Sequence, residues 1–144
     1  MATDEYTTAM IIREQRITII RVSRPRHHNV NDELKWLGHS LGLFGERDKD
    51  SSLYRLFVEL IKSRRSNQLL TSDELAHRVG LSRGTVVHHL NKLLESGIVV
   101  SERNRYALRV GNLEVLIEEL RKDVRRTLDD LKAIAKQIDE ELEL

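Results

Sequence analysis

The chain has 144 residues, 40% of them hydrophobic and 33% charged; this size fits one domain, or a small domain with an appendage, with a mainly aliphatic core. It contains no cysteine, which excludes disulfides, thiol catalysis and thiolate metal sites, and no apolar run approaches the roughly 20 residues that span a bilayer. The net charge of +1 conceals an asymmetry, since residues 113–144 hold ten acidic and six basic side chains whereas earlier segments are basic. We therefore expect a soluble, cytoplasmic protein without a membrane partner, one face of which meets a polyanion.

Residues 1–50 are predicted to form an N-terminal extension made of a basic strand and a short helix. Residues 9–23 are rich in β-branched side chains, which favours a strand centred on residues 17–22. Pro25 ends this strand because proline cannot continue a ladder, and the short helix follows it.

The basic segment 13–28 has two open interpretations. It pairs as a strand, within a dimer or with a wing sheet, and its arginines are solvated; alternatively, it lies along a duplex as a basic arm. Arg24 and Arg26, on either side of the proline, are the candidates for contacts with the DNA backbone.

Residues 51–110 show the order helix, helix, helix and hairpin. The first helix carries apolar residues at 3–4 spacing on one face. Thr71 and Glu74 form a capping box that begins a second, short helix. Gly80 supplies a tight turn, and the third helix ends at Gly97. This arrangement predicts a helix-turn-helix whose last helix enters a DNA major groove.

The third helix is the predicted recognition helix. With Val86, Leu90 and Leu93 turned toward the core, short polar and basic side chains occupy the opposite face. Its N-terminus presents backbone N–H groups that favour a phosphate. The candidate DNA contacts of this helix are Ser82, Arg83, Thr85, His88, His89 and Lys92.

A hairpin follows the recognition helix and forms the predicted wing. Two short apolar runs flank a polar tip at residues 101–105. A basic tip beside a recognition helix is well placed for contacts with the backbone or the minor groove. The candidate contacts of the tip are Arg103, Asn104 and Arg105.

The pattern Thr-Val-x-His-His-Leu-x-x-Leu at residues 85–93, followed by Glu-x-Gly-Ile-Val at residues 95–99, resembles the ArsR-like superfamily of winged-helix regulators. The resemblance covers about residues 53–110 and implies a winged helix-turn-helix that binds operator DNA, usually as a homodimer, through the helix and wing residues named above. An N-terminal segment before such a domain is similar to some archaeal members.

Metal sensing and catalysis are not supported by the sequence. The chain lacks the cysteine pair of metal-sensing members, and no histidine follows His89. The adjacent pairs His27-His28 and His88-His89 have poor spacing for one ion on a helix. No catalytic motif appears. We therefore expect no enzyme, no metal and no cofactor, and the sequence identifies no effector.

Residues 111–144 are predicted to form one long helix, since neither glycine nor proline occurs after residue 111. Its apolar positions follow a heptad-like pattern with one longer step. The expected partner of this stripe is the same helix of a second copy; the alternatives are its own N-terminal segment and a swapped contact with residues 34–45. The candidate dimerisation residues are Leu113, Leu116, Ile117, Leu120, Val124, Leu128, Leu131, Ile138 and Leu142.

The sequence thus predicts a mainly α fold with a small β-hairpin wing. A winged helix-turn-helix is joined to a long C-terminal dimerisation helix and to an N-terminal strand and helix extension. The predicted function is sequence-specific transcription regulation by a homodimer on double-stranded DNA, with residues 83–96 in the major groove. The alternative is a winged-helix module for protein interaction or chromatin architecture, without strong sequence specificity.

Overall fold

The computed structural model describes residues 14–26, 28–45 and 48–144. Over these residues the chain is mainly helical, with one small antiparallel sheet, and the predicted winged helix-turn-helix is confirmed. In chain order the elements are α1 (Val30–Ser40), α2 (Ser52–Arg65), β1 (Leu70–Thr71), α3 (Ser72–Val79), α4 (Arg83–Ser96), β2 (Val99–Glu102), β3 (Arg105–Leu108) and α5 (Leu113–Leu142).

The hydrophobic core lies where α2, α3 and α4 meet the sheet. The apolar face of α2 predicted from the 3–4 spacing is buried, with Leu56, Phe57 and Leu60 fully enclosed. Leu75 of α3 and Leu90 of α4 complete the centre of this cluster. Burial of such large side chains stabilises the fold by about 1.5–3 kcal/mol each relative to exposure.

Local hydrogen bonds define the ends of the helix-turn-helix. The hydroxyl of Thr71 accepts from the backbone N–H of Glu74 at 3.1 Å, and the Glu74 carboxylate accepts from the Thr71 N–H at 3.1 Å. Gly80 ends α3 with a φ of +67° and Gly97 ends α4 with a φ of +83°, values that glycine adopts at least cost. The capping box and both glycine stops are confirmed.

The wing is a three-stranded sheet in the order β1-β3-β2. The hairpin of β2 and β3 pairs Val99 with Leu108, and its two tip residues, Arg103 and Asn104, both have a positive φ. Such a turn matches the right-handed twist of the flanking strands. Strand β1 adds Leu70 opposite Tyr106, a pairing that the sequence did not predict.

The predicted N-terminal strand is wrong for the described residues. Residues 14–26, here called the strap, are extended but belong to no sheet. The N–H of Arg16 donates to the carbonyl of Glu95 at 3.1 Å, and that of Ile20 donates to the carbonyl of Ser40 at 2.7 Å. Both acceptors lie in last helical turns, where carbonyls lack an intrahelical donor. β-Branched residues favour a strand only where a partner strand is adjacent, and residues 9–13 of the prediction lie outside the described part.

Helix α5 begins where predicted, with the side chain of Asn112 accepting from the N–H of Val115 at 2.8 Å. Two of its predicted dimerisation residues, Leu116 and Leu120, are instead buried in the core of their own chain at 0% and 4% exposure, and Leu113 packs against the same cluster. The assignment of Leu116 and Leu120 to a dimer contact is therefore wrong, because both side chains already belong to the hydrophobic core cluster of their own chain.

The second half of α5 extends away from this core, and every side chain from residue 125 to residue 142 is exposed. The described helices include none with the length and apolar content needed to cross a membrane.

Candidate nucleic-acid interface

Helix α4 is anchored by one face and leaves the other open. Val86, Leu90 and Leu93 are buried against the core, as the periodicity predicts. His88 and Lys92 lie on the exposed side, and Thr85 is half-buried at the first turn. One face of α4 therefore packs against the core, and the polar side chains of the opposite face are directed toward solvent.

Two hydroxyl groups organise the N-terminus of α4. The Ser82 oxygen accepts from the backbone N–H of Thr85 at 3.2 Å and donates to the Thr85 hydroxyl at 2.8 Å. This cap orients the Thr85 hydroxyl at the N-terminus of α4, where its oxygen can still accept a further hydrogen bond. Helix N-termini of this kind favour an anion.

Arg83 is the exposed cation at the same end of the helix. Its Nε lies 3.3 Å from a carboxylate oxygen of Asp73 on α3, and both side chains are largely exposed. Exposed ion pairs contribute about 0–1 kcal/mol, so Asp73 competes only weakly with a phosphate for this guanidinium.

His89 does not share the exposed face with its neighbour His88. It is only 8% exposed, and its Nε2 lies 2.6 Å from the hydroxyl oxygen of Ser52 at the start of α2. The prediction that His89 contacts DNA is therefore wrong. His89 stood at the margin of the outer face on a helical wheel, and the packing of α4 against α2 turns that margin inward.

A chain of polar contacts runs from α4 to the loop before α2. The Ser52 hydroxyl donates to Asp48 at 2.9 Å, so its oxygen accepts the proton on His89 Nε2. The His89 Nδ1 is then an acceptor, and it is buried without a hydrogen-bond partner. Burial lowers the pKa of His89, and the nearby Asp48 carboxylate only partly offsets this.

Asp48 is the charged end of this chain. Burial alone would raise the pKa of Asp48, but hydrogen bonds from the backbone N–H groups of Ser52 and Leu53 lower it overall. The carboxylate accepts from these groups at 2.9 and 3.1 Å and so caps α2. This link was not predicted from the sequence, although an acidic residue shortly before an apolar helix is a recognisable capping signal.

The three predicted wing contacts are not equivalent. Arg103 and Asn104 form the exposed tip of the hairpin. Arg105 instead donates to the carbonyl of Leu69 at 3.2 Å and lies 3.3 Å from the carboxylate of Glu74. Its guanidinium therefore holds the wing against α3, and only part of it is exposed.

The arginines of the strap lie in two different places. Arg16 is 3.0 Å from the carboxylate of Glu95 near the end of α4, where it offsets an acidic charge on that helix. Arg24 lines a cleft with Trp36 of α1 and Leu113 of α5. Arg24 and Arg26 are exposed, and their contact with DNA stays a prediction. The sheet includes no strand from the strap, so pairing with the wing is wrong for the described residues.

A second buried polar cluster joins the strap to α5, and the sequence did not indicate it. Asp123 accepts from Arg109 at 2.6 Å, from Arg126 at 2.6 Å and from the Gln15 side chain at 2.9 Å. Burial would raise the pKa of Asp123, but the hydrogen bonds from Arg109 and Gln15 and the Arg109 charge lower it overall. Gln15 also donates to the carbonyl of Ser96 at 3.2 Å, so the strap closes the C-terminal end of α4.

Comparison with known protein families agrees with this geometry. Residues 59–101 match the model of a family described as bacterial regulatory protein, arsR family. The matched range runs from the second half of α2 through α3 and α4 into β2. No curated protein and no solved structure matches the chain significantly. The family match covers less than a third of the chain, and it indicates a helix-turn-helix domain of the kind that serves in DNA-binding transcription regulation.

Proposed function

We propose that the protein is a sequence-specific transcription regulator that binds double-stranded DNA as a homodimer, with α4 in the major groove. The observation that carries this proposal is the orientation of α4. Its apolar face is held by the core, and its N-terminal turn and outer face present Arg83, Thr85, His88 and Lys92 to solvent. A helix in this position of a helix-turn-helix reads base edges with its first turns.

The side chains at and near the start of α4 divide by position. Thr85 and His88 lie on the outer side of its first turns and suit base edges, whereas Ser82 and Arg83 at the N-terminus suit a phosphate. Lys92 lies one turn beyond His88 on the exposed face and suits a phosphate or a guanine. Phosphate contacts position the helix, and base contacts provide its sequence preference.

The wing supplies a second contact beside the helix. Arg103 and Asn104 stand at the hairpin tip, and a basic tip there suits the backbone or the minor groove. Arg105 contributes less, because its guanidinium donates to the Leu69 carbonyl and also pairs with Glu74. Contacts of this type add affinity and salt dependence more than sequence preference.

The homodimer is supported by the second half of α5. Residues 125–142 are exposed throughout, and they include the apolar side chains of Leu128, Leu131, Ile138 and Leu142. A helix of a water-exposed domain with such a stripe normally buries it against a partner. Two copies would offer two recognition helices to successive major grooves, about 34 Å apart.

The test begins with selection of bound fragments from random double-stranded DNA by the purified full chain. The dissociation constant is then measured by fluorescence anisotropy for the selected site and for a scrambled site across a range of salt concentrations. A regulator should prefer its site by about a thousandfold or more. Equal affinity for both duplexes would contradict the proposal and favour an architectural or protein-interaction module.

Lys92→Ala provides the residue-level test, with Lys35→Ala on α1 as the matched control. Loss of one phosphate contact in each copy, and so of two in the dimer, should reduce the slope of log affinity against log salt by about 2. The Lys35 variant should keep the wild-type slope, since α1 lies outside the helix-turn-helix. Equal slopes in both variants would contradict the placement of α4.

A further inference from the structure

We propose that the two copies associate in antiparallel orientation, so that residues 128–142 of one α5 lie in a groove of the other copy. This inference rests on the proposed homodimer and specifies its surface. It also specifies which of the partners left open by the sequence covers the apolar stripe of α5. That partner is the second copy, and its α1, which overlaps residues 34–45, forms one wall of the groove.

The groove runs between the strap, α1 and the middle of α5. It has a volume of about 580 Å³. Its floor and walls are almost entirely apolar, with Arg121 and Arg125 of α5 as its charged members. The apolar lining includes Ile19, Trp36, Leu37, Ile117, Val124 and Leu128.

The tail of α5 carries the complementary surface. Leu128, Leu131, Ile138 and Leu142 are between 45% and 64% exposed and recur at helical spacing on one face. An isolated helix of this length would be marginal in water without tertiary packing. Burial of the four side chains against a partner would remove this apolar surface from water.

Two-fold symmetry restricts how both surfaces can be covered together. The groove uses residues 117–128 of α5, and the tail stripe uses residues 128–142 on the same face of the same helix. An axis that crosses α5 near residue 130 brings each tail onto the other groove. In a parallel pair each residue would face its own copy, and the tails would never reach the grooves.

Charge favours the antiparallel orientation. Residues 139–143 contain Asp139, Glu140, Glu141 and Glu143 without a basic residue. A parallel pair would place two such runs side by side, which is repulsive. The antiparallel pair brings them toward the basic rim of the groove.

One ion pair follows from this register. Arg121 and Asp139 are equally far from residue 130 and project from the same side of the apolar stripe, so a perpendicular two-fold axis places them opposite each other. Arg121 now lies 3.6 Å from Glu118 in an exposed pair, a contact weak enough to exchange.

Cysteine labelling can measure the orientation directly, because the chain has no cysteine of its own. Glu143→Cys and Lys132→Cys are labelled with nitroxides in the full chain, and inter-label distances are measured by pulsed electron resonance. With a rise of about 1.5 Å per residue, the antiparallel pair separates the labels at position 143 by roughly 40 Å and those at position 132 by less than roughly 20 Å.

The other outcomes overturn the inference in distinguishable ways. Short distances at both positions indicate a parallel pair, and long distances at both indicate a dimer through another surface; the inference then fails while the homodimer stands. A monomer in sedimentation equilibrium at micromolar concentration overturns both the inference and the homodimer, and the DNA selection still tests the recognition helix separately.

Charge reversal tests the register at exposed positions, where folding is not at risk. Arg121→Glu or Asp139→Arg should raise the dimer dissociation constant about threefold to tenfold, because each change affects two symmetric pairs. Combining the two substitutions should restore the wild-type constant. Glu140→Arg is the matched control, since Glu140 projects from the opposite side of the helix. Equal weakening by Asp139→Arg and Glu140→Arg would overturn the register.

Discussion

The Nε2 atom of His89 on α4 lies 2.6 Å from the hydroxyl oxygen of Ser52, the first residue of α2. Through Ser52 and Asp48 this contact joins the helix that carries the proposed DNA contacts to the loop before α2. The rotation of α4 about its axis, and hence the set of side chains turned outward, depends on this contact as well as on apolar packing.

The buried His89 should make the stability of the fold depend on pH. Burial lowers its pKa below the ordinary value of 6.5, so the folded state favours the neutral ring while the unfolded state takes up a proton. The stabilisation is therefore complete above pH 6.5 and is lost as the pH falls toward the folded pKa. The free energy of unfolding, measured in urea at pH 7.5 and 5.5, should decrease at the lower pH.

Two variants test whether His89 is the cause of this pH dependence. His89→Gln removes the titrating group and keeps an amide that can donate to Ser52, so its stability should change less between the two pH values. His88→Ala, next to it but exposed, should retain the wild-type dependence. A His89→Gln protein with the same loss as wild type would refute the assignment.

Arg83 is expected to contact a phosphate, with Asp73 as its only nearby competitor among the ion pairs of the described residues. Arg83→Ala should weaken DNA binding about tenfold to 150-fold for each bound copy at moderate salt, since a hydrogen bond to a charged group is worth about 1.5–3 kcal/mol. The dimer should persist in sedimentation. Asp73→Ala should leave affinity unchanged or increase it, because an acidic group near the duplex is removed. Wild-type affinity in Arg83→Ala would contradict the contact.

Asp123 should be essential for the junction between the strap, the wing and α5. It is 5% exposed and accepts from three side chains, so Asp123→Ala would leave Arg109 without its closest partner. We expect a loss of about 3–5 kcal/mol in the free energy of unfolding. Asp129→Ala, on the exposed part of the same helix, should change stability by less than about 0.5 kcal/mol. Similar values for both variants would show that the cluster is dispensable.

Leucines on α5 should separate into two classes. Leu116→Ala creates a cavity in the core of each chain, so it should reduce the free energy of unfolding by about 2–5 kcal/mol at any protein concentration. Leu131→Ala changes an exposed side chain, so it should weaken association while leaving the unfolding of the separated chain nearly unchanged. Urea unfolding at two protein concentrations distinguishes these effects. A concentration-independent loss of similar size in both variants would contradict the division of α5.

Local signals made much of the fold predictable. The capping box of Thr71 and Glu74, the turn at Gly80 and the stop at Gly97 each depend on a few neighbouring residues, because hydrogen bonds and backbone conformations at helix ends are short-range. The inner face of α4 followed from periodicity alone, since Val86 and Leu90 repeat at helical spacing. The match to a regulatory family over residues 59–101 falls on this same stretch.

Which side chains are exposed at the candidate nucleic-acid interface depends on contacts between residues far apart in the sequence. His89 stood at the edge of the outer face in the sequence, and only its contact with Ser52, far away along the chain, turned it inward. Arg105 was equivalent to Arg103 in the sequence, and the pairing of β1 with β3 brought it to Glu74. Whether a residue at the margin of a helical face is buried or exposed depends on its tertiary neighbours, which the periodicity of the sequence does not reveal.

By itself, the sequence determined where α3 and α4 begin and end, which residues share a face and that a helix-turn-helix is followed by a wing. Only the tertiary structure decided what each face meets: the strap joins helix ends instead of a sheet, and Leu116 and Leu120 enter their own core while Leu128 and Leu131 stay exposed. The physical reason is that hydrogen bonds within elements link near neighbours, whereas apolar burial is non-directional. An apolar stripe therefore requires a partner, and its sequence does not say which surface that partner is.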